Sequence, residues 1–311
     1  MKRSLRKTVT GGVCPACGSA RVRRWKSKNL QGPLRPSDLS ITDARYGTTL
    51  ALSRCGDCTF VFADDPDVER LDALYAELDD PSYEAGDESR SLQMRFICDR
   101  VIERAPAART WLDVGAATGL LVREAARRGL AATGVEPSER LGAVGRAQGL
   151  DIVQGVLPNP SLEGRTFDVV SLVDVVEHVA DPVALCHAAA ESLAEGGLMV
   201  VVTPDVSSVA ARLLGRSWWH FRVAHVGYFS PRSFDRAAAR AGLRIVGSER
   251  ARWYFPVKYL LERTARYLPL KPAIEHLAAF GPTATLMDRV VPLDLFDSSV
   301  YFLTKEGADA A

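Results

Sequence analysis

From Thr110 onward the chain alternates short apolar runs with amphipathic stretches: 110–114, 131–135, 151–153, 167–172 and 197–202 read as strands, with helical periodicity between most of them. Short buried strands separated by helices pair in parallel through crossover connections, so the expected fold is α/β and doubly wound. Two later runs, 242–249 and 299–304, complete a mostly parallel, seven-stranded, Rossmann-like sheet. Proline at a first helical position presets φ for the helix, and helix starts are expected at Pro137, Pro182 and Pro231.

The first strand of this series runs into Asp113-Val114-Gly115-Ala116-Ala117-Thr118-Gly119 and then into a helical stretch from Leu120. Glycines at such a strand-to-helix turn let a ligand approach the backbone, and the helix N-terminus favours an anionic group there. The second strand ends at Glu136, where a carboxylate can accept hydrogen bonds from both hydroxyls of a ribose. Together the two features point to an adenosine-type ligand. A nicotinamide dinucleotide would want Gly-x-Gly-x-x-Gly, but Ala117 and Leu120 stand at the second and third glycine positions.

With the stretch Asp174-Val175-Val176-Glu177-His178 after the fourth strand, residues 91–304 resemble the class I S-adenosylmethionine (SAM)-dependent methyltransferases, in particular those with an Asp-x-x-Glu-His element. The family often carries a glycine where Ala117 stands. The resemblance implies SAM as cofactor, with Gly115 and Gly119 beside its amino-acid part and Asp113 anchoring its ammonium. It further implies Glu136 on the ribose, Gly155 and Val156 bordering the adenine, and Asp174 between cofactor and acceptor.

Four of the six cysteines form two Cys-x-x-Cys pairs, Cys14/Cys17 and Cys55/Cys58. That spacing suits a tetrahedral zinc site, closed by four thiolates and therefore structural. Two disulfides or a redox pair are the competing readings and would suit other settings. Residues 1–65 have little apolar content for a core of their own, so the expected organisation is a zinc-binding ribbon-like module at 1–65, an acidic helical linker at 66–90, and a methyltransferase domain at 91–311. A helical insertion is expected at about 253–297, as a lid or an oligomer surface. Cys98 and Cys186 lack metal spacing and read as buried thiols.

Net charge is only +1 and apolar residues make up 47%, a balance of globular enzymes with no overall bias towards nucleic acid or anionic membrane. The charge is unevenly spread: residues 1–58 carry twelve Lys/Arg against three Asp, and residues 59–104 five Arg against thirteen acidic residues. Mutual neutralisation across an interface is the plain explanation. No run of eighteen apolar residues occurs, and neither a membrane span nor a secretory leader is expected; the expected setting is the cytoplasm.

Methyl transfer to oxygen or carbon also needs a base, and histidine is the commonest. Of the five histidines, His178 and His225 belong at the carboxyl edge of the sheet and are the candidates; His220 ranks below them, and His187 and His276 read as surface or packing residues. The aromatics Trp218, Trp219, Phe221, Tyr228 and Phe229 form either a core cluster or an acceptor-pocket wall. Chains joining such a zinc module to this domain resemble enzymes acting on a sugar, nucleotide-linked sugar or natural-product intermediate. The alternatives are an RNA base methyltransferase that docks through the basic stretch 21–28, and a non-catalytic SAM-binding or zinc-mediated assembly protein.

Overall fold

The computed structural model describes residues 12–40, 45–80, 87–264, 287 and 289–307. Near the N-terminus, β1 (Val22–Lys26), β2 (Leu52–Cys55) and β3 (Val61–Ala63) form an antiparallel sheet. The two cysteine pairs lie at one end of it, where Gly56 N–H donates to the Arg21 carbonyl and holds the two knuckles together at 2.7 Å. The uneven charge is resolved locally: Arg21 pairs with Asp57 at 2.6 Å and Lys28 with Asp67 at 2.7 Å, so much of the basic stretch is neutralised by carboxylates close at hand.

Helix α1 (Leu71–Ala76) follows, and α2 (Asp87–Arg104) begins inside the stretch expected to be linker. Then come β4 (Thr110–Val114), α3 (Leu120–Ala126), β5 (Ala131–Glu136), α4 (Glu139–Ala147), β6 (Asp151–Gln154), β7 (Phe167–Val173), α5 (Pro182–Glu191) and β8 (Leu193–Pro204). Beyond them are α6 (Val209–Leu214), β9 (Gly227–Tyr228), α7 (Pro231–Arg240), β10 (Leu243–Arg250), β11 (Trp253–Pro256), α8 (Val257–Thr264), β12 (Val290–Leu293) and β13 (Ser298–Lys305).

The central sheet is seven-stranded, in the order β10-β13-β8-β7-β4-β5-β6, with only β13 antiparallel to its neighbours. The α/β expectation therefore holds, including the two late strands. Pro182 and Pro231 open their helices behind the caps Asp181 and Ser230. Pro137 does not: the cap of α4 is Ser138, whose hydroxyl accepts from Leu141 N–H at 3.2 Å. The chain needs that extra turn because Ser138 N–H first donates back to Glu136 at 2.7 Å.

β9 leaves the C-terminal half and pairs with β3, placing Tyr228 opposite Val61. The apolar cores follow the same path. One cluster gathers Leu34, Leu39, Leu52 and Val61 with Trp218, Phe221, Val223 and Tyr228. Another joins Cys14, Cys55, Cys58, Phe60 and Phe62 to Leu112, Leu172 and Phe229. The expected boundary at residue 65 is thus bridged by a shared sheet and shared cores, so the shortage of apolar residues in the N-terminal part is made up by the other half.

The expected helical insertion is partly β: β11 and β12 pair antiparallel, and α8 follows β11. The rest of it, residues 265–286 and with them His276, lies outside the described residues. Among the described residues no helix is long and apolar enough to cross a membrane.

Candidate functional site

At the carboxyl ends of β4 and β5 the two acidic side chains are fixed from below. Trp111 Nε1–H donates to Ser171 Oγ at 2.8 Å, and the Ser171 hydroxyl donates to Asp113 at 2.6 Å. Burial pushes the Asp113 carboxyl up to about 7, with the Ser171 hydrogen bond opposing and nearby Glu136 adding to the rise. Glu136 accepts from Ala117 N–H at 2.8 Å and Ser138 N–H at 2.7 Å; burial raises its pKa against those two bonds. One carboxylate thereby ties the glycine loop to the next strand's exit while each oxygen keeps a second lone pair.

The loop itself is left-handed at Gly115 (φ 75°), Ala117 (φ 48°) and Gly119 (φ 81°). A Cβ on Gly115 would stand 2.7 Å from Val175, and one on Gly119 2.6 Å from Leu150, so both positions require glycine. Ala117 takes a conformation that a glycine would adopt with less strain. Buried Thr118 Oγ1 in this loop has no partner among the described residues. Gly155, after β6, donates to the Glu136 carbonyl at 2.9 Å, and neighbouring Val156 is 49% exposed at the same edge. This donor and acceptor set suits an adenosyl ligand: carboxyls for hydroxyls and an ammonium, and an open apolar edge beside them.

Past β7, Asp174 turns left-handed (φ 54°) and is half-buried, its carboxyl pushed up to about 7 by burial and held back in part by Arg222. Glu177 is buried with one oxygen accepting from the Thr203 hydroxyl at 3.1 Å and the other unpartnered among the described residues; burial and Asp174 raise its pKa well above its ordinary value. His178 Nδ1 lies 2.9 Å from the Ala224 carbonyl and 2.7 Å from the Tyr75 hydroxyl. A carbonyl only accepts, so Nδ1 carries the proton and Nε2 keeps its lone pair.

His225 packs edge-on to His178, ring centres 4.7 Å apart, and stacks on His220 at 5.6 Å. Burial brings the His178 pKa down to about 3, with Arg222 adding to it; burial, His178 and Arg222 hold His225 well below 6.5. Both imidazoles are neutral and His225 Nδ1 has no partner among the described residues. Donor atoms of Glu177, His178 and His225 lie within 4.8 Å of one another, close enough to share a proton or to hold a divalent cation. His220 Nε2 sits 3.3 Å from buried Asp297, which also accepts from Trp218 Nε1–H at 3.1 Å.

The four sulfurs of Cys14, Cys17, Cys55 and Cys58 lie within 4.8 Å of one another, with Cys14–Cys58 and Cys17–Cys55 each 3.6 Å apart. A tetrahedron with Zn–S of about 2.3 Å has edges of about 3.8 Å, so the spacing of the set is compatible with zinc. All four are free thiols rather than disulfides. Burial works against the Cys55 thiolate, yet the Cys58 and Asp57 N–H groups bring it down to about 7. Cys98 and Cys186 are buried in α2 and α5, away from this cluster, as their spacing suggested.

The structure brings Glu177, His178 and His225 together at the sheet edge and adds residues that the sequence did not single out. Tyr75 comes from the acidic segment, Arg222 from the loop before β9 and Asp297 from the approach to β13. Leu78 of the same acidic segment accepts the Ser138 hydroxyl at 2.8 Å, so this segment lies across the carboxyl edge rather than merely linking two domains. Of the aromatics, Trp218, Phe221, Tyr228 and Phe229 are buried and Trp219 is half-buried, which makes them chiefly core. His187 is exposed, as expected.

Residues 88–248 match a family described as a methyltransferase domain. The ubiquinone biosynthesis O-methyltransferase of Caulobacter vibrioides is 35% identical over 160 residues, 45% of this chain and 63% of that protein. The protein of the same name from Cereibacter sphaeroides is 36% identical over 115 residues, 34% and 47% respectively. The chain spans less than two thirds of the length of either relative. A chain in the solved complex between the Haloferax volcanii Trm112 methyltransferase activator and a methyltransferase shares the fold, with a TM-score of 0.51 at 16% identity over 76% of this chain and 97% of that one.

Proposed function

Because the chain belongs to the methyltransferase-domain family, we propose that it transfers a methyl group from SAM to an oxygen or carbon of a small-molecule acceptor such as a sugar, a nucleotide-linked sugar or a natural-product intermediate. The O-methyltransferase names of its relatives favour oxygen. The observation that carries the reading is the pair of neutral imidazoles, His178 and His225, packed edge-on beside Glu177, with His225 Nδ1 unpartnered among the described residues.

When bound, SAM supplies an electrophilic methyl on a sulfonium sulfur. The chain's part is to hold the two reactants and manage one proton. Glu136 offers its spare lone pairs to the ribose hydroxyls, and Gly115 and Gly119 border the amino-acid portion with Asp113 under the ammonium. Gly155 and Val156 border the adenine. Asp174 stands between cofactor and acceptor and orients an acceptor hydroxyl. His225 takes the acceptor's proton, and His178, fixed by Ala224 and Tyr75, adjoins it as a second basic site. Positioning of this kind is worth about 7–11 kcal/mol of barrier, and a placed base about 10²–10⁴-fold in rate.

On this reading residues 1–65 form a module closed by a structural zinc on Cys14, Cys17, Cys55 and Cys58, and the catalytic domain covers 91–311 with 66–90 laid over its edge. Four thiolates leave the metal no open position, so it holds the fold and takes no part in the reaction. The test is incubation with methyl-labelled SAM and a host-cell extract, followed by separation of small-molecule, RNA and protein fractions. Label in a small molecule is the expected result. Label confined to RNA would replace the acceptor class, and tight SAM binding with no label anywhere would favour a non-catalytic protein.

A further inference from the structure

Between the N-terminal sheet and the segment 206–221 lie two adjoining cavities that share Arg216, of about 370 and 340 Å³. Each is within the size range of small-ligand pockets. The first is lined by Lys26, Lys28 and Arg216, the second by Arg54, Arg212 and Arg216, and neither by any carboxylate.

Lys28 is paired with Asp67 and Asp65. Several other surface arginines are similarly matched: Arg21, Arg24, Arg100, Arg104 and Arg128 each face an acid. In contrast, Arg54, Arg212 and Arg216 form no ion pair among the described residues, and Lys26 Nζ donates only to the Gly47 carbonyl, at 2.7 Å. Burial and the Arg216 charge lower the Lys26 pKa, as expected where positive charge gathers without compensation. A cluster of this kind is satisfied by a polyanion, and arginine's fork matches phosphate oxygens.

The walls add a second preference. Trp25 is 37% exposed and leans on Phe221 at 5.5 Å between ring centres, offering an indole face beside the arginines. The hydroxyls of Thr59 and Ser230, 2.8 Å apart, lie at the same wall. Phe221 also packs on Trp218, which packs on His220 of the histidine cluster, so the cavity backs onto the layer that holds the candidate base.

We propose that this basic junction is a docking site for a nucleoside diphosphate group, the anionic handle of the methyl acceptor. The diphosphate lies among Arg54, Arg212 and Arg216 and the base stacks on Trp25. The assignment deepens the small-molecule reading and rests on it for its biological sense, but its test does not require turnover. Binding of uridine diphosphate, pyrophosphate and uridine to the full-length protein is measured by calorimetry at moderate salt. Uridine diphosphate is expected to bind best, pyrophosphate to compete with it and uridine alone to fail. Arg216→Gln and Arg212→Gln should each weaken it about ten-fold. Trp25→Leu should weaken uridine diphosphate but not pyrophosphate.

Unchanged SAM binding and melting temperature in each variant show that the fold is intact, and Arg216→Lys should retain part of the affinity. No binding at millimolar concentration, equal affinity in the arginine variants, or a single-stranded RNA oligomer that binds more tightly and loses affinity in the same variants would each overturn the proposal. Methylation of an uncharged acceptor without diphosphate binding would defeat this site alone. Diphosphate binding without any methyl transfer would defeat the methyltransfer reading alone.

Discussion

The N-terminal module and the carboxyl edge of the seven-stranded sheet both gather titratable side chains, but they hold them by different means. At the sheet edge, Asp113, Glu136 and His178 are fixed by hydrogen bonds from neighbouring residues and His225 by ring packing, and none of them has an ion-pair partner among the described residues. In the module, the Cys14–Cys58 and Cys17–Cys55 sulfurs lie 3.6 Å apart, and on the zinc reading they are themselves the fastening. A protein can keep costly, poised groups in one place only where something else supplies rigidity. The shared clusters around Trp218 and Phe60 are where the two regimes meet.

The sharpest way to separate them is to remove the fastening. Structural zinc contributes about 10–16 kcal/mol in zinc-finger peptides, so chelation or Cys55→Ser should abolish amide protection across β1–β3 and β9. Protection in β4, β7 and β8 should survive, as read by hydrogen exchange; collapse of all of them together would show one cooperative unit. Next in size, His225→Ala should lower kcat by about 10²–10⁴-fold with SAM affinity nearly unchanged. Equal loss of cofactor binding would make His225 part of the scaffold.

The buried acids and bases should then show opposite pH signatures. The Asp113 pKa is raised from 3.8 to about 7, so its contribution is fully present below 3.8 and is lost as pH rises through 7. His178, lowered from 6.5 to about 3, contributes above 6.5 and loses that contribution as pH falls towards 3. Asp113→Asn should therefore melt progressively higher relative to the parent protein as pH rises from about 4 to 7, with the gap levelling off above 7, while binding SAM more weakly. A gap that stays constant across that window would mean that the folded Asp113 carboxyl is already ionised there and its pKa is not raised. Smallest of all, Ala117→Gly should stabilise by under about 1 kcal/mol, relief of the left-handed strain being partly offset by glycine's freedom when unfolded. A drop in melting temperature would show the methyl to be a packing contact.

What the sequence discloses is local. The strands at 110–114 and 167–172, the cysteine pairs, the glycine loop and Glu136 are all readable within a few residues of one another, because period and spacing encode them. Tyr75, Arg222 and Asp297 carry no such signature; they meet the histidines only through the fold. Pro137 misleads because proline marks a helix start equally well one residue before a serine cap. The aromatic run at 253–256 suits a strand as well as a helix, and only its pairing with 290–293 decides.

The pairing of Val61 with Tyr228 has a consequence for biogenesis. On the ribosome the first three strands of the small sheet emerge early, but the fourth follows only after most of the large sheet's strands have been made. Closing so long a loop carries a larger entropic cost than the shorter one between Cys17 and Cys55 that a metal on Cys14, Cys17, Cys55 and Cys58 would close. On the zinc reading assembly is thus staged: the clasp can form during synthesis, while its sheet stays one strand short until the later chain arrives to seal it.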